Sequence, residues 1–152
     1  MKHYLPFDKW SHRYDSVFFT VQIHQRIILD SAPSNSFSSE VKGNNHHPAV
    51  YYELHVSCAN DTLIFARRFS QFNWLFNQLR TFPVPEEGGL IAASISLPPK
   101  TCPFQIVDDE FLDNRQDELG HFLSNILIRP GYAQHKDVVA FLKLGDLPGE
   151  KL

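Results

Sequence analysis

The sequence predicts an α+β domain: a three-stranded antiparallel β-sheet packed against a bundle of three to four helices, with a proline-rich PPK turn. Two observations support this prediction. Up to Phe69, apolar residues alternate with polar ones, the period of a half-buried strand, and after Phe69 they recur every three to four residues, the period of an amphipathic helix. Strands followed by helices favour helices packed on one side of an antiparallel sheet. The 152 residues are enough for one domain to bury a core without disulfide or metal support.

Three segments have the strand pattern. The first is VFFTVQIH, residues 17–24, and the pattern allows it to continue through RIILD. The second is AVYYELHVSC, residues 49–58, in which one face carries Val50, Tyr52, Leu54, Val56 and Cys58. Turn residues 59–61 follow, and TLIFARRF begins the third strand, so the last two strands are predicted to form a hairpin.

The chain divides into one domain with short flanking segments. Residues 1–15 show no period and are interpreted as an N-terminal lead-in segment, residues 16–145 as the domain, and residues 146–152 as a C-terminal tail. Residues 31–48 are rich in Ser, Asn, Pro and Gly, a composition typical of a long flexible loop, here between the first two strands.

Three helices are predicted after the strands. Ser70 is the predicted N-cap of the first, whose apolar stripe is Phe72, Leu75, Phe76 and Leu79. The second begins at the acidic run 108–110, which suits a positive helix N-terminus, and ends before Pro130; its stripe is Leu112, Leu119, Phe122, Leu123, Ile126 and Leu127. The third is KDVVAFLKL, with Val138, Phe141 and Leu142 on one face. The segment LIAAS, residues 90–94, is compatible with one further helical turn.

Composition and motifs argue against several classes of function. The formal net charge of −3 does not indicate a nucleic-acid surface, and no apolar run approaches the roughly 20 residues that span a bilayer. The eight histidines lack HxxxH and HExxH spacing and the two cysteines form no CxxC, so we predict no metal site and a reduced, cytoplasmic setting. Because GxSxG, P-loop and GxGxxG motifs are absent, we predict neither an enzyme nor a bound cofactor.

The stretch RRFSQF, residues 67–72, sets two arginines side by side at the end of the third strand. Strand alternation puts Arg67 on the face of Leu63 and Phe65, and Arg68 on the opposite face. At most one of the two arginines is therefore expected to be the primary ligand residue.

Two further basic residues have a structural and a functional interpretation each. Arg115 falls in the apolar stripe of the second helix, where it either bonds Glu118, Asp109 or a helix-end carbonyl, or reaches toward an anionic ligand. Lys100 closes the stiff run LPPK and is either a solvated surface lysine or a cation presented to a ligand.

The loop after Lys100 carries apolar residues without a period: Pro103, Phe104, Ile106 and Val107. They either pack beneath the second helix or enter a lipid surface. In lipid, each large side chain contributes about 1.5–3 kcal/mol on full burial.

Taken together, the chain resembles a PX (phox homology) domain, the phosphoinositide-binding module of sorting nexins, from about Val17 to Leu144. The resemblance rests on four segments in the family's order: ARRFSQFNWLFNQL, LPPK, FLDNRQDELGHFLSNIL and VVAFLKL.

The resemblance implies a role for each candidate site residue. Arg68 would hold the 3-phosphate of the lipid head group, and Phe69, where the family usually has Tyr, would pack against the inositol ring. Lys100 would contact the 1-phosphate and Arg115 the 4- and 5-hydroxyls. The membrane-inserting segment would contain Pro103, Phe104, Ile106 and Val107. Arg67 would be structural or make a peripheral contact.

The implied function is that of a non-catalytic module that recognises a 3-phosphorylated inositide, above all phosphatidylinositol 3-phosphate. Such a module would recruit its parent protein from the cytoplasm to endosomal membranes as a peripheral protein. The alternative is a PX-fold protein-interaction module with weak or no lipid binding. The 31–48 loop, the proline-rich segments FPVP and LPPK and the negative net charge favour that alternative.

Overall fold

The computed structural model describes residues 13–14, 17–33, 41–58, 61–80, 83–84, 89–90, 97–98, 107–128 and 132–147. Its helices and strands are, in chain order, β1 (Arg13–Tyr14), β2 (Val17–Phe18), β3 (Thr20–Leu29), β4 (Ala49–Cys58), β5 (Asp61–Arg68), α1 (Phe69–Leu79), β6 (Pro83–Val84), β7 (Gly89–Leu90), α2 (Asp109–Leu127) and α3 (Lys136–Leu142). Two 3₁₀ turns, Tyr132–Gln134 and Leu144–Asp146, flank α3.

The predicted α+β fold is confirmed. Strands β3, β4 and β5 form an antiparallel sheet in that order, with β4 in the centre and the predicted hairpin between β4 and β5. The bounds of β4 are those predicted, and β5 ends at Arg68. The short pairs β1–β2 and β6–β7 were not predicted, because two-residue strands carry too little pattern to be recognised.

The core lies between one face of the sheet and the helices. The predicted inner face of β4 is confirmed, since Tyr52, Leu54, Val56 and Cys58 are buried and Val50, which is partly buried, packs against the core. Phe72 of α1 lies near the middle of the core, where its ring makes edge contacts with three aromatic rings: Tyr52, Phe122 and Phe141. Full burial of side chains of this size stabilises a fold by roughly 1.5–3 kcal/mol each.

The start of α1 differs from the prediction. Ser70 is not the N-cap; the helix begins at Phe69, directly after the last strand residue, Arg68. Gln71 accepts a hydrogen bond from the backbone N–H of Arg68 at 2.9 Å, which satisfies one of the donors that a cap would satisfy. The Ser70 hydroxyl instead accepts from the backbone N–H of Asn44 at 2.8 Å. Ser70 therefore connects the helix to the preceding loop.

The other two helices begin and pack as predicted. Asp108 is the N-cap of α2 and accepts from the backbone N–H of Phe111 at 2.9 Å. The predicted stripe of α2 is buried except for the half-buried Leu112, and Arg115 is buried with it. In α3 the predicted residues Val138, Phe141 and Leu142 are buried. Of the predicted turn LIAAS, Leu90 belongs to β7 and the rest lies outside the described residues.

The loop between β3 and β4 packs against the outer face of the sheet and against the start of α1. Its described residues, 31–33 and 41–48, form no helix or strand. His47 contacts Tyr51, with its Nε2 atom 2.8 Å from the Tyr51 hydroxyl. Tyr51, which points away from the core, is therefore only 3% exposed.

Candidate functional site

The candidate site is built around the junction of β5 and α1, where Arg67 and Arg68 leave the strand on opposite faces. Arg67 is fully buried beside Phe65 on the core face. Its Nε donates to the Phe141 carbonyl at 3.0 Å and its Nη2 to the Ala140 carbonyl at 3.4 Å, both at the end of α3. A cation is favourable at a helix C-terminus, although burial lowers the pKa of Arg67 to about 10. These contacts give Arg67 a structural role.

Arg68 lies on the outer face of the sheet, opposite Tyr51 in the β4–β5 register. Its Nη1 donates to the carbonyls of Asn44 at 2.9 Å and His46 at 2.8 Å. Its guanidinium carbon is 5.6 Å from the centre of the Tyr51 ring, a cation–π distance. Both hydrogen bonds that the side chain donates to described residues use Nη1. The two loop carbonyls therefore orient the guanidinium through Nη1.

A small cleft of about 30 Å³ adjoins Arg68. It is lined by residues of the loop, the sheet and the start of α1: Ala32, Val41, Gly43, Asn44, Asn45, Tyr51, Arg68 and Gln71. This volume holds small polar groups and not a whole inositol ring. A large ligand would therefore lie outside the cleft and contact its mouth.

Phe69 follows Arg68 directly in the sequence and contacts Arg115, the second arginine of the site. The guanidinium carbon of Arg115, on α2, is 4.0 Å from the centre of the Phe69 ring and 4.8 Å from that of Phe111. Burial lowers the pKa of Arg115, and the nearby Tyr52 and Glu118 raise it by smaller amounts.

Arg115 is only 9% exposed. The sequence offered Asp109 as one possible ion-pair partner for it. Asp109 lies 3.5 Å from Arg26 of β3, to which Asp113 also bonds, and aromatic rings surround Arg115. Cation–π contacts with these two rings offset part of the cost of a buried charge on an apolar stripe.

The remaining predicted residues fall mostly outside the described part of the chain. These are Lys100, Pro103, Phe104 and Ile106. Val107, the last residue of the predicted insertion segment, is described; it is 50% exposed and lies next to the N-cap of α2. Among the described residues, no helix is both long and apolar enough to cross a membrane.

Sequence reasoning missed three contributions to the site. Tyr51 lies under Arg68, Phe111 stacks on Arg115, and the carbonyls of Asn44 and His46 hold Arg68. The position of Tyr51 beside Arg68 could have been predicted. A two-residue hairpin connection pairs Cys58 with Asp61, and counting outward from that pair brings Tyr51 opposite Arg68. Loop carbonyls carry no signal in the sequence.

The described site can bind an anionic, hydroxyl-rich ligand. Arg68 uses only Nη1 in its hydrogen bonds to described residues, and Phe69 follows it directly in the sequence. The Arg115 guanidinium stacks on the Phe69 ring. Arginine donates to phosphate or vicinal oxygens in pairs, and an aromatic face packs against a sugar-like ring.

Comparisons with known proteins agree with the fold. The family model described as "PX domain" matches residues 59–144, more than half of the chain. "Serine/threonine-protein kinase Sgk3" of Rattus norvegicus is 28% identical over 117 residues, which are 76% of this chain and 22% of the kinase. The Mus musculus protein of the same name gives the same values. The chain thus spans about a fifth of the length of these relatives.

One solved structure resembles the chain over most of its length. It is described as "X-ray structure of a designed CISK-PX domain" and superposes with a TM-score of 0.57 at 24% sequence identity. The match covers 82% of this chain and 98% of that one. At this identity the match shows a common fold.

Proposed function

This chain belongs to the PX domain family, whose members are phosphoinositide-binding modules, and on that premise we propose that it recognises a 3-phosphorylated inositide, above all phosphatidylinositol 3-phosphate. We propose further that it recruits its parent protein to endosomal membranes as a peripheral protein. The observation that carries the proposal is the environment of Arg68, a half-exposed arginine held in place by two loop carbonyls.

Arg68 binds the 3-phosphate in this proposal. Its Nη1 is already committed to the loop, so the phosphate accepts from Nε and Nη2, the pair of donors that matches two phosphate oxygens. A side chain that is oriented before binding loses little further conformational entropy when the ligand arrives. The loop carbonyls therefore favour binding without touching the lipid.

Phe69 and Arg115 bind the inositol ring. Arg115 stacks on Phe69, and the remaining exposed part of the Phe69 ring packs against the ring carbons of the ligand. The Arg115 guanidinium then donates to the 4- and 5-hydroxyls. A phosphate at either position would bring extra bulk to this buried arginine, which supports a preference for the 3-phosphate alone.

Lys100 contacts the 1-phosphate, and the segment with Pro103, Phe104, Ile106 and Val107 enters the lipid. The exposure of Val107 beside the start of α2 supports this orientation. Head-group bonds supply specificity, and insertion of apolar side chains lengthens the residence time on the membrane.

Sedimentation with liposomes that each contain one phosphoinositide tests the proposal. We expect the wild-type chain to pellet with vesicles containing phosphatidylinositol 3-phosphate and Arg68→Ala to remain in solution. Removing a hydrogen-bonded charge from a charged ligand typically costs about 2–5 kcal/mol, which is a loss of affinity of at least about thirtyfold.

Arg80→Ala is the matched control, because Arg80 is an exposed arginine at the other end of α1. It should bind as the wild type does. Equal binding by Arg68→Ala and Arg80→Ala would show the pocket assignment to be wrong. Failure of the wild type to bind any vesicle of the panel would favour the alternative, a PX-fold protein-interaction module.

A further inference from the structure

The outer face of the sheet carries a second cluster of chemically active side chains that the lipid site does not use. His24 of β3 and Glu53 and His55 of β4 point into the same space, and their nearest ligand-type atoms all lie within 4.8 Å of one another. We propose that His24, Glu53 and His55 form a binding site for a divalent transition-metal ion, with Zn²⁺ as the best-matched ion.

A β-bulge brings His24 into this group. In the β3–β4 register Ile23 pairs with Leu54 and Gln25 with Glu53, so His24 is the extra residue on its strand. A bulge re-aims a side chain that regular alternation would direct elsewhere. The His24 ring accordingly stacks on the His55 ring, with centres 4.4 Å apart and planes inclined by 20°.

The two residues of β4 supply the other ligand atoms. Glu53 and His55 are two positions apart and share a face. His55 Nε2 donates to Glu53 Oε1 at 2.8 Å. The ion would replace the proton between these two atoms, and the neutral imidazole would carry its proton on Nδ1 instead. Two imidazole nitrogens and one carboxylate oxygen are the ligands of many zinc sites with an open fourth position.

Gln25 provides the outer contact that metal-binding carboxylates commonly have. Its Nε2 donates to the second oxygen of Glu53, Oε2, at 3.1 Å, which leaves Oε1 directed at His55. Ligand atoms around a tetrahedral zinc ion are about 3.3 Å apart, so the present spacing closes by small rotations of side chains on a rigid sheet.

An ion pair between Glu53 and His55 alone would explain their contact but not the third residue. Surface pairs of that kind contribute little stability, and they do not need an aligned imidazole from a bulge on the next strand. The half-buried positions of Glu53 and His55, with 19% and 23% of their side chains exposed, favour a pre-arranged group.

Isothermal titration calorimetry of the chelator-treated chain with ZnCl₂ tests the proposal. We expect saturable binding of one ion, lost in both His24→Ala and His55→Ala. Gln25→Ala, which removes only the outer contact, should weaken binding by about tenfold. Co²⁺ added in place of Zn²⁺ should give the visible absorption of a site with nitrogen and oxygen ligands, and that absorption should disappear in the same variants.

His121→Ala is the control, because His121 is exposed on α2, away from the cluster. It should bind one ion with wild-type affinity. The proposal is overturned if the wild type shows no saturable binding, or if His24→Ala and His55→Ala bind as His121→Ala does. Circular dichroism on each variant establishes that loss of binding is not loss of fold. Arg68→Ala should retain the ion, which keeps this test separate from that of the lipid site.

Discussion

Arg67 and Arg68 are neighbours in sequence but meet different surroundings. Arg67 is enclosed by the core and bonds the carbonyls at the end of α3, while Arg68 lies at the surface and bonds the loop. Strand alternation alone separates them. That the two arginines lie on opposite faces of the sheet was therefore predictable from the sequence.

This division predicts different effects on stability. Arg67→Ala removes two charge-assisted hydrogen bonds and leaves buried carbonyls and a cavity, so we expect the free energy of unfolding to fall by about 3 kcal/mol. Arg68→Ala removes bonds at an exposed site, and a loss of about 1 kcal/mol or less is expected. Urea unfolding followed by circular dichroism measures both. Equal losses would contradict the structural role of Arg67.

The residue level also contains features that the sequence does not reveal. Ser70 has the chemistry of an N-cap, but the cap is Arg68, two residues earlier, where Gln71 accepts a hydrogen bond from the Arg68 N–H. His24 lies in a regular alternating run, and the bulge that re-aims it is a property of the twisted strand pair. Both depend on contacts between residues whose approach is set by the whole fold.

At the level of elements, the 41–48 segment and the start of α1 form one unit. Asn44 donates to Ser70, and Gly43 lies so close to α1 that an added Cβ would be 2.6 Å from Gln71 Cγ and 2.9 Å from Ser70 Oγ. The Ser- and Asn-rich composition predicts a flexible connection, yet this part of it makes specific contacts. Composition reports the solubility of a segment and not the hydrogen bonds of its backbone.

Gly43→Ala tests whether this segment positions Arg68. Overpacking of this kind typically costs about 1–3 kcal/mol, and it would displace the carbonyls that hold the guanidinium. We expect weaker sedimentation with phosphatidylinositol 3-phosphate vesicles from protein that is still folded.

Gly120→Ala is the control for Gly43→Ala. Gly120 lies in the middle of α2 with nothing within 4 Å of the added Cβ, so the substitution should stabilise the chain by about 0.5–1 kcal/mol and leave binding unchanged. Wild-type lipid binding by Gly43→Ala would mean that the loop does not orient Arg68.

On the scale of the whole molecule, the net charge of the chain and the basic residues of the proposed lipid site have separate effects on membrane binding. The chain has a net charge of −3, so it has no general attraction to an anionic membrane surface. In the proposed function, membrane binding therefore comes from the local group of basic residues and from the inserted apolar side chains.

Vesicle composition tests this separation. Adding phosphatidylserine to vesicles without phosphoinositide should bring down little protein, whereas adding phosphatidylinositol 3-phosphate to neutral vesicles should bring down most of it. High salt shortens the Debye length from about 10 Å at 0.1 M to about 3 Å at 1 M. It should weaken binding to the phosphatidylinositol 3-phosphate vesicles only several-fold. Strong binding to phosphatidylserine alone would instead indicate a charge-driven interaction.

The order of elements was predictable at this scale because period changes are visible in one sequence. The sheet, its hairpin and the three helices follow from alternation, spacing and the residues at helix ends. How the elements pack together was not predictable from the periods. For example, the contact of Arg115 with Phe69 joins α2 to the β5–α1 junction, which is far away in the sequence. The family resemblance assigned both residues to the same ligand, and the structure shows the contact between them.

The direct passage from β5 into α1 restricts how the chain can vary in length. No loop residue separates Arg68 from Phe69, so one inserted residue would turn everything on one side of it by about 100° around the helix axis. Phe69 would leave Arg115, and Arg68 would leave the loop carbonyls. The connection between β3 and β4 has many residues over which to spread such a change. Homologous chains should therefore differ in length in that connection and keep the β5–α1 junction constant.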